Sequence, residues 1–282
     1  MVETVVRAWP RSDKRVHSRL GVLAGWLKEL VRNRELLLVL AGRDLKVRYK
    51  QSLLGVAWAV LQPASMTFVF TIIFGRFAQV PSEGKPYPLF SYVAMLPWSF
   101  LAAALSSSVT SLVANLSLVT KVKFPKEILV LAGIIACGVD FLIGFALLPL
   151  LYLIWPVPLS VTLCWLPLLI AIQLLLTVGI SLIIAAANVF YRDLRFIVPL
   201  GLQLWFFASP VIYSLSAVPE RFRALYLLNP LAPLLEGYRR VLLHGSGPQL
   251  SLLGPAAAVS LALCILGYWL FKRLEPAFAD VI

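Results

Sequence analysis

Four basic side chains, Arg43, Lys46, Arg48 and Lys50, crowd the segment just ahead of the first long apolar stretch. Cations at that place attract the headgroups of anionic lipids and help to orient the chain in a membrane. Asp140 is the one charged residue inside a predicted membrane span. Such a residue either takes part in transport or faces the bundle and fixes helix register. Little other reactive chemistry is encoded. His17 and His244 are the only histidines, and no metal-ligand spacing or catalytic set is visible. Hydrolysis or glycosyl transfer would need several carboxylates or a base near the headgroups. The phosphate-binding pattern G-x-x-x-x-G-K-[ST] is absent, and Gly84-Lys85 is followed by Pro86. No ATP site is therefore expected in this chain. Cys137, Cys164 and Cys264 lie in apolar runs without paired spacing, which suits packing.

Aromatic rings are the other chemical resource, with 8 Trp, 9 Tyr and 16 Phe. Trp58, Phe68, Phe70, Trp205, Phe206 and Tyr213 fall in or at the ends of predicted spans. They could form a stacking surface for sugar rings along a substrate path. The plainer reading is lipid anchoring and ordinary packing.

The elements that position these residues follow from hydropathy. Hydrophobic residues make up 60% and charged residues 13% of 282 residues, and the mean hydropathy is +0.89. From Phe141 to Tyr191 there is no charged side chain, until Arg192-Asp193-Leu194-Arg195 ends the run. A span needs about 20 apolar residues, and lipid forces each to satisfy its own backbone as a helix. Two spans joined through Trp155-Pro156-Val157-Pro158 explain the run. The same criterion gives six transmembrane helices, at residues 53–75, 89–109, 128–154, 163–189, 196–213 and 250–271. Residues 1–28 read as a basic cytoplasmic tail, and 29–282 as one all-α integral membrane domain. Residues 29–52 are expected to form an interfacial amphipathic helix. Leu45 to Lys50 alternates with period two, but a lone strand beside a membrane has no partner edge.

With the N-terminus inside, only Arg76, Lys85, Arg221, Arg223, Arg239 and Arg240 fall outside, and every other Lys and Arg falls inside. That bias places both termini in the cytoplasm. The net charge of +12 thus reads as orientation and anionic-lipid attraction rather than nucleic-acid binding. Residues 214–249 are apolar but broken by Pro219, Pro230, Pro233, Gly237 and Gly245. Pro219 can open a short helix, Asn229-Pro230 should end it, and a second can follow to about Leu243. A re-entrant pair of half-helices suits such a segment, since broken backbone at membrane depth must be buried or line a wet cavity. An ordinary external loop is the alternative. Asn115 to Glu127, with Phe124-Pro125 near its end, could lie flat on the inner face and dock a soluble partner, or serve as a basic linker.

Taken together, the chain resembles the permease subunits of ABC-2 type polysaccharide exporters, over about Glu29 to Glu275. The resemblance rests on Arg43-Asp44-Leu45-Lys46-Val47-Arg48-Tyr49-Lys50-Gln51-Ser52, on Leu54-Gly55, Trp58 and Gln62-Pro63, and on Lys123-Phe124-Pro125-Lys126-Glu127. It continues in Asn188-Val189-Phe190-Tyr191-Arg192-Asp193, Pro210-Val211-Ile212-Tyr213 and Leu228-Asn229-Pro230. It implies a multi-pass protein of the bacterial cytoplasmic (inner) membrane, acting as two copies with two copies of a separate ATPase. ATP and Mg would be bound by that partner. The implied cargo is a polyprenyl-pyrophosphate-linked polysaccharide, O-antigen above all, with teichoic acid, capsule, galactan or another lipid or drug as alternatives. Arg43, Lys46, Arg48 and Lys50 then sit where the lipid pyrophosphate would arrive, with lipid-headgroup anchoring as the alternative. Asn115, Lys121, Lys123 and Phe124 then look like the coupling helix, with Arg192 and Asp193 as a second contact. Pro219, Arg221, Arg223, Asn229, Pro230 and Arg239 fall in the counterpart of the gate helices. The long basic tail departs from the family pattern. Outside that resemblance, a membrane enzyme acting on polyprenyl-linked sugars would need clustered acids. A secondary transporter would need ion-site residues or an internal repeat.

Overall fold

The computed structural model describes residues 29–50, 52–157 and 160–278, and for residues 224 and 225 the backbone alone. The expected tail at 1–28, and Pro158 of the predicted turn, lie outside the described residues. Among those described, the chain is helical with no strand. Five helices are long and apolar enough to cross a membrane: Gly55–Phe77, Tyr87–Thr110, Glu127–Ile154, Val161–Phe190 and Leu250–Ala277. The chain is therefore a multi-pass integral membrane protein.

Helix α1 spans Arg34–Tyr49, so the alternating stretch ahead of Lys50 is helical. Its Leu40 and Ala41 are buried, while Leu38, Val39 and Val47 are exposed. Helix α2 (Gly55–Phe77) starts at Gly55 with φ +50, a value glycine adopts freely. It ends in π-helical turns over Thr71–Phe77. Helix α3 (Tyr87–Thr110) is opened by Pro86 and Pro88, which cost a helix start nothing. Burial separates these two spans: 78% of the most apolar window of α3 is buried, against 11% for α2. Helix α3 is the core, and α2 is a peripheral wall.

A short α4 (Leu116–Lys121) leads to α5 (Glu127–Gly144). The span breaks there and resumes as α6 (Leu147–Ile154). Tyr92 donates its hydroxyl to the Gly144 carbonyl at 2.7 Å, meeting the polar group that the break exposes. Helix α7 (Leu166–Phe190) and the last helix, α11 (Leu250–Leu274), pack backbone to backbone. A Cβ added to Gly267 would sit 2.3 Å from the Gly179 carbonyl oxygen. Small residues at such a crossing replace the hydrophobic force that lipid removes.

One expectation differs. The segment 196–213 is helical only as α8, Leu194–Phe207, 14 residues. At about 1.5 Å per residue it reaches ~21 Å, short of the ~30 Å hydrocarbon layer. The chain then turns through residues 208–213. Pro210 lacks the amide a helix needs, and distant side chains capture the freed carbonyls, as described below. Two short helices follow, α9 (Glu220–Leu227) and α10 (Leu231–Leu242), with the break at Asn229-Pro230.

The helix ends sort into two layers. Lys272 bonds Glu127, and the Phe190 and Phe271 rings both meet Phe278. The start of α5 and the ends of α7 and α11 thus share one end, the base, which carries the loops at 111–126 and 191–193. At the other end, the crown, Tyr87 bonds the Ile212 carbonyl and Tyr152 bonds the Leu242 carbonyl.

Candidate functional site

A cleft of about 870 Å³ opens between α1, α2, α3, α5 and α8. That volume is within the range of ligand-binding pockets. One end is polar. Arg48, at the last turn of α1, bonds Asp140 on α5, and Tyr49 donates to the other Asp140 oxygen. Arg48 also reaches the Cys137 sulfur at 3.2 Å. Asp140 lies 13 residues into α5 from Glu127, about 20 Å along its axis. The two side chains are 32% and 18% exposed, so the pair is open to the cleft.

The cleft walls are aromatic. Of the six rings singled out from sequence, Trp58, Phe70 and Phe206 line it. Phe70 and Phe206 stack with centroids 5.5 Å apart, and Trp98 meets Phe206 edge-on. The other three lie elsewhere. Phe68 points outward and is 67% exposed. Trp205 packs edge-on against Trp98 and donates to Asn229. Tyr213 donates to the Phe207 carbonyl and shares a hydrogen bond with Tyr226. Trp98 lines the cleft without having been singled out. A mid-helix tryptophan beside Pro97 was the available signal. Of the basic cluster, only Arg48 lines the cleft. Arg43 turns to its neighbour Asp44 at 2.8 Å, and Lys46 and Lys50 are exposed.

The turn after α8 is built from side chains far away in sequence. Arg239 is fully buried and bonds the Val211 and Tyr213 carbonyls at 2.8 and 3.1 Å. Its guanidinium lies 3.8 Å above the Phe90 ring. Tyr87 takes the carbonyl between those two, Ile212, at 2.7 Å. Asn229 accepts from Trp205 and from the Leu231 amide, and donates to Ser209. It joins the end of α8 to the start of α10. Pro219 precedes α9, Pro230 caps α10, and Arg221 is exposed beside Phe222. Arg223 is half-buried. Sequence reading missed Gln173, a buried amide in α7 that donates to the Pro97 carbonyl and accepts from Tyr238. Its signal was an amide within a long apolar helix.

At the base, Asn115 bonds the Ser111 carbonyl just ahead of α4. Lys121, Lys123, Arg192 and Asp193 are exposed. Phe124 is half-buried, with the Lys126 ammonium 4.4 Å above its ring. Burial lowers the Lys126 ammonium from its ordinary pKa, and Glu275 opposes that shift. The Lys126 amide donates to Glu275 at 2.9 Å, and Lys272 bridges Glu275 and the fully buried Glu127. The coupling-loop candidate is thus anchored to the end of α11.

The family model for ABC-2 type transporters matches residues 35–243. This chain belongs to the ABC-2 type transporter family. An O-antigen export system permease protein, RfbA, of Myxococcus xanthus is 33% identical over 262 residues, covering 91% of this chain and 98% of that protein. The RfbA permease of Klebsiella pneumoniae is 29% identical over 249 residues, covering 88% and 95%. The polysialic acid transport protein KpsM of Escherichia coli is 24% identical over 246 residues, covering 83% and 92%. Two of these relatives are thus export permeases by name, and the third is a transport protein. The matched region of the ABC-2 chain runs from α1 to the end of α10, so it includes the cleft, both base loops and the crown helices.

Proposed function

We propose that this ABC-2 chain is the permease subunit of an ATP-driven exporter that moves a polyprenyl-pyrophosphate-linked polysaccharide, of O-antigen type, across the bacterial inner membrane. The observation that carries this reading is the cleft. It joins a polar end at Arg48, Tyr49 and Asp140 to aromatic walls at Trp58, Phe70, Trp98 and Phe206. Rings stack on the apolar faces of sugars, and Arg48 suits a pyrophosphate at the lipid-proximal end. The names of its relatives support the polysaccharide class.

A glycan cannot cross hydrocarbon, so two copies of the chain would enclose the path. The exposed apolar faces of α2 and α8, which border the cleft, support that pairing. In this reading α8 is the short fifth of six spans, and α9 and α10 form a re-entrant pair at the outer surface. The carbonyls held by Arg239 and Tyr87 meet the demand that unwound backbone be satisfied by protein. The base faces the cytoplasm, and both termini lie there. Two copies of a separate ATPase bind ATP and Mg and push on Asn115–Phe124 and Arg192-Asp193, shifting the bundle between two packings. A capsule-type polymer is the second reading, favoured by the likeness to the polysialic acid transporter.

The test is transport by the purified permease–ATPase pair in proteoliposomes. ATP should drive a lipid-linked O-antigen glycan across the bilayer, and neither component alone should do so. Transport by the chain alone, or glycan turnover without ATP, would refute the reading.

A further inference from the structure

The crown holds a polar knot with no part in the scheme above. Glu83 lies in the turn between α2 and α3 with φ +56, a left-handed conformation uncommon for a residue bearing a Cβ. Gly84 follows at φ +74, and Gln79 precedes it at φ +49. From this turn the Glu83 carboxylate reaches two separate segments. One oxygen accepts from the buried Ser214 hydroxyl, just past the unwound 208–213 stretch. The other lies 3.0 Å from His244 Nε2, two residues beyond α10. Glu236, Arg239 and Arg240 of α10 add further charge around Glu83 and His244.

Anchoring decides which side of this knot can move. Helix α10 is tied to the core by buried groups: Tyr238 to Gln173, and Arg239 to the Val211 and Tyr213 carbonyls. Hydrogen bonds of that kind are costly to break because no water replaces them. Helix α2 has a different setting: its outward face meets lipid or the second copy through apolar side chains, and it ends in π-helical turns just before the Glu83 turn. It also supplies Trp58, Gln62 and Phe70 to the cleft. The Glu83–His244 pair is 21% and 27% exposed, so water can take over when it parts.

We propose that Glu83 is a positioning residue for transport: it latches the outer end of α2, the movable wall of the cleft, to His244 and Ser214 on the fixed crown. The latch parts when the wall swings to pass cargo, and re-forms afterwards. This rests on the exporter reading of the preceding section.

The test uses the permease–ATPase pair in proteoliposomes with Glu83→Cys and His244→Cys, in a Cys164→Ser background because Cys164 is exposed. A short bis-methanethiosulfonate linker then makes the contact permanent. A contact that serves packing alone tolerates permanence, whereas a latch does not. Linking should cut ATP-driven glycan transport at least tenfold, and reduction should restore it. Equal transport before and after linking overturns the latch and leaves the exporter reading intact. No ATP-driven transport by the wild-type pair overturns both. A second variant needs no linker. Glu83→Ala should raise at least threefold the rate at which an externally added, membrane-impermeant maleimide labels Ser99→Cys in the cleft. A rate equal to that with Glu83 present overturns the proposal.

Discussion

Arg239 shows how much a single side chain carries here. A buried guanidinium bonded to two carbonyls is a fork that lysine cannot reproduce. Replacing it leaves those carbonyls without donors, at about 1–3 kcal/mol each. Arg239→Gln should therefore lower the unfolding temperature in detergent by several degrees, as read by scanning fluorimetry; an unchanged midpoint would contradict the role given to it. The sequence marked Arg239 only through its family-like setting. Its partners lie 28 and 26 residues back, and the ring beneath it is Phe90, on another helix. No local pattern records such a meeting. The same limit governs the aromatic path. Phe68 and Phe70 are two positions apart, about 200° around a helix, so one faces out while the other lines the cleft. Periodicity identifies a ring-rich helix, but only tertiary packing decides which ring turns inward.

Whole elements were more readable than their faces. The break at Asn229-Pro230 and the helix after Pro219 follow from proline chemistry alone, and α9 and α10 appear there. The end of α8 was less readable. Residues 208–213 are apolar enough to continue a span; Pro210 is the one local sign of a stop, and the groups that hold the unwound carbonyls arrive from α3 and α10. Glycines give a sharper test of element packing. Gly267→Val should abolish accumulation of folded protein, because α7 and α11 touch there and even a Cβ has no room. Gly201→Ala, with nothing within 4 Å of its added Cβ, should be tolerated and can raise the melting temperature slightly. Comparing the monodisperse yield of the two variants checks the contrast. At the base, the exposed Lys121 and Lys123 are better probes of docking than Phe124, which is half-buried under Lys126. Charge reversal at both, Lys121→Glu with Lys123→Glu, should weaken co-purification of the ATPase severalfold while leaving the unfolding midpoint of the permease unchanged.

At the scale of the molecule, burial is lopsided. Helix α3 is enclosed, whereas α2 and α8 present Phe68, Leu200 and Leu204 outward. Lipid accepts such a face, and so does a second copy of the chain. The two can be told apart because a symmetric pair brings each residue near the axis close to its own counterpart. A cysteine at Leu200 should cross-link between copies on oxidation, giving a band of doubled mass on denaturing gels. A cysteine at Leu261, exposed on α11, should not. Equal yields from both positions would point to collision in the bilayer instead.

The ion pair at the base also has a consequence in time. Glu127 opens α5, yet its cation, Lys272, is made 145 residues later. At about 5–20 residues per second of synthesis, that gap is on the order of ten seconds. Until Lys272 emerges, a carboxylate destined for full burial lacks its cation, so the foot of α5 closes over it only if it keeps its water or takes up a proton. The finished ion pair is therefore a late event in the making of the base.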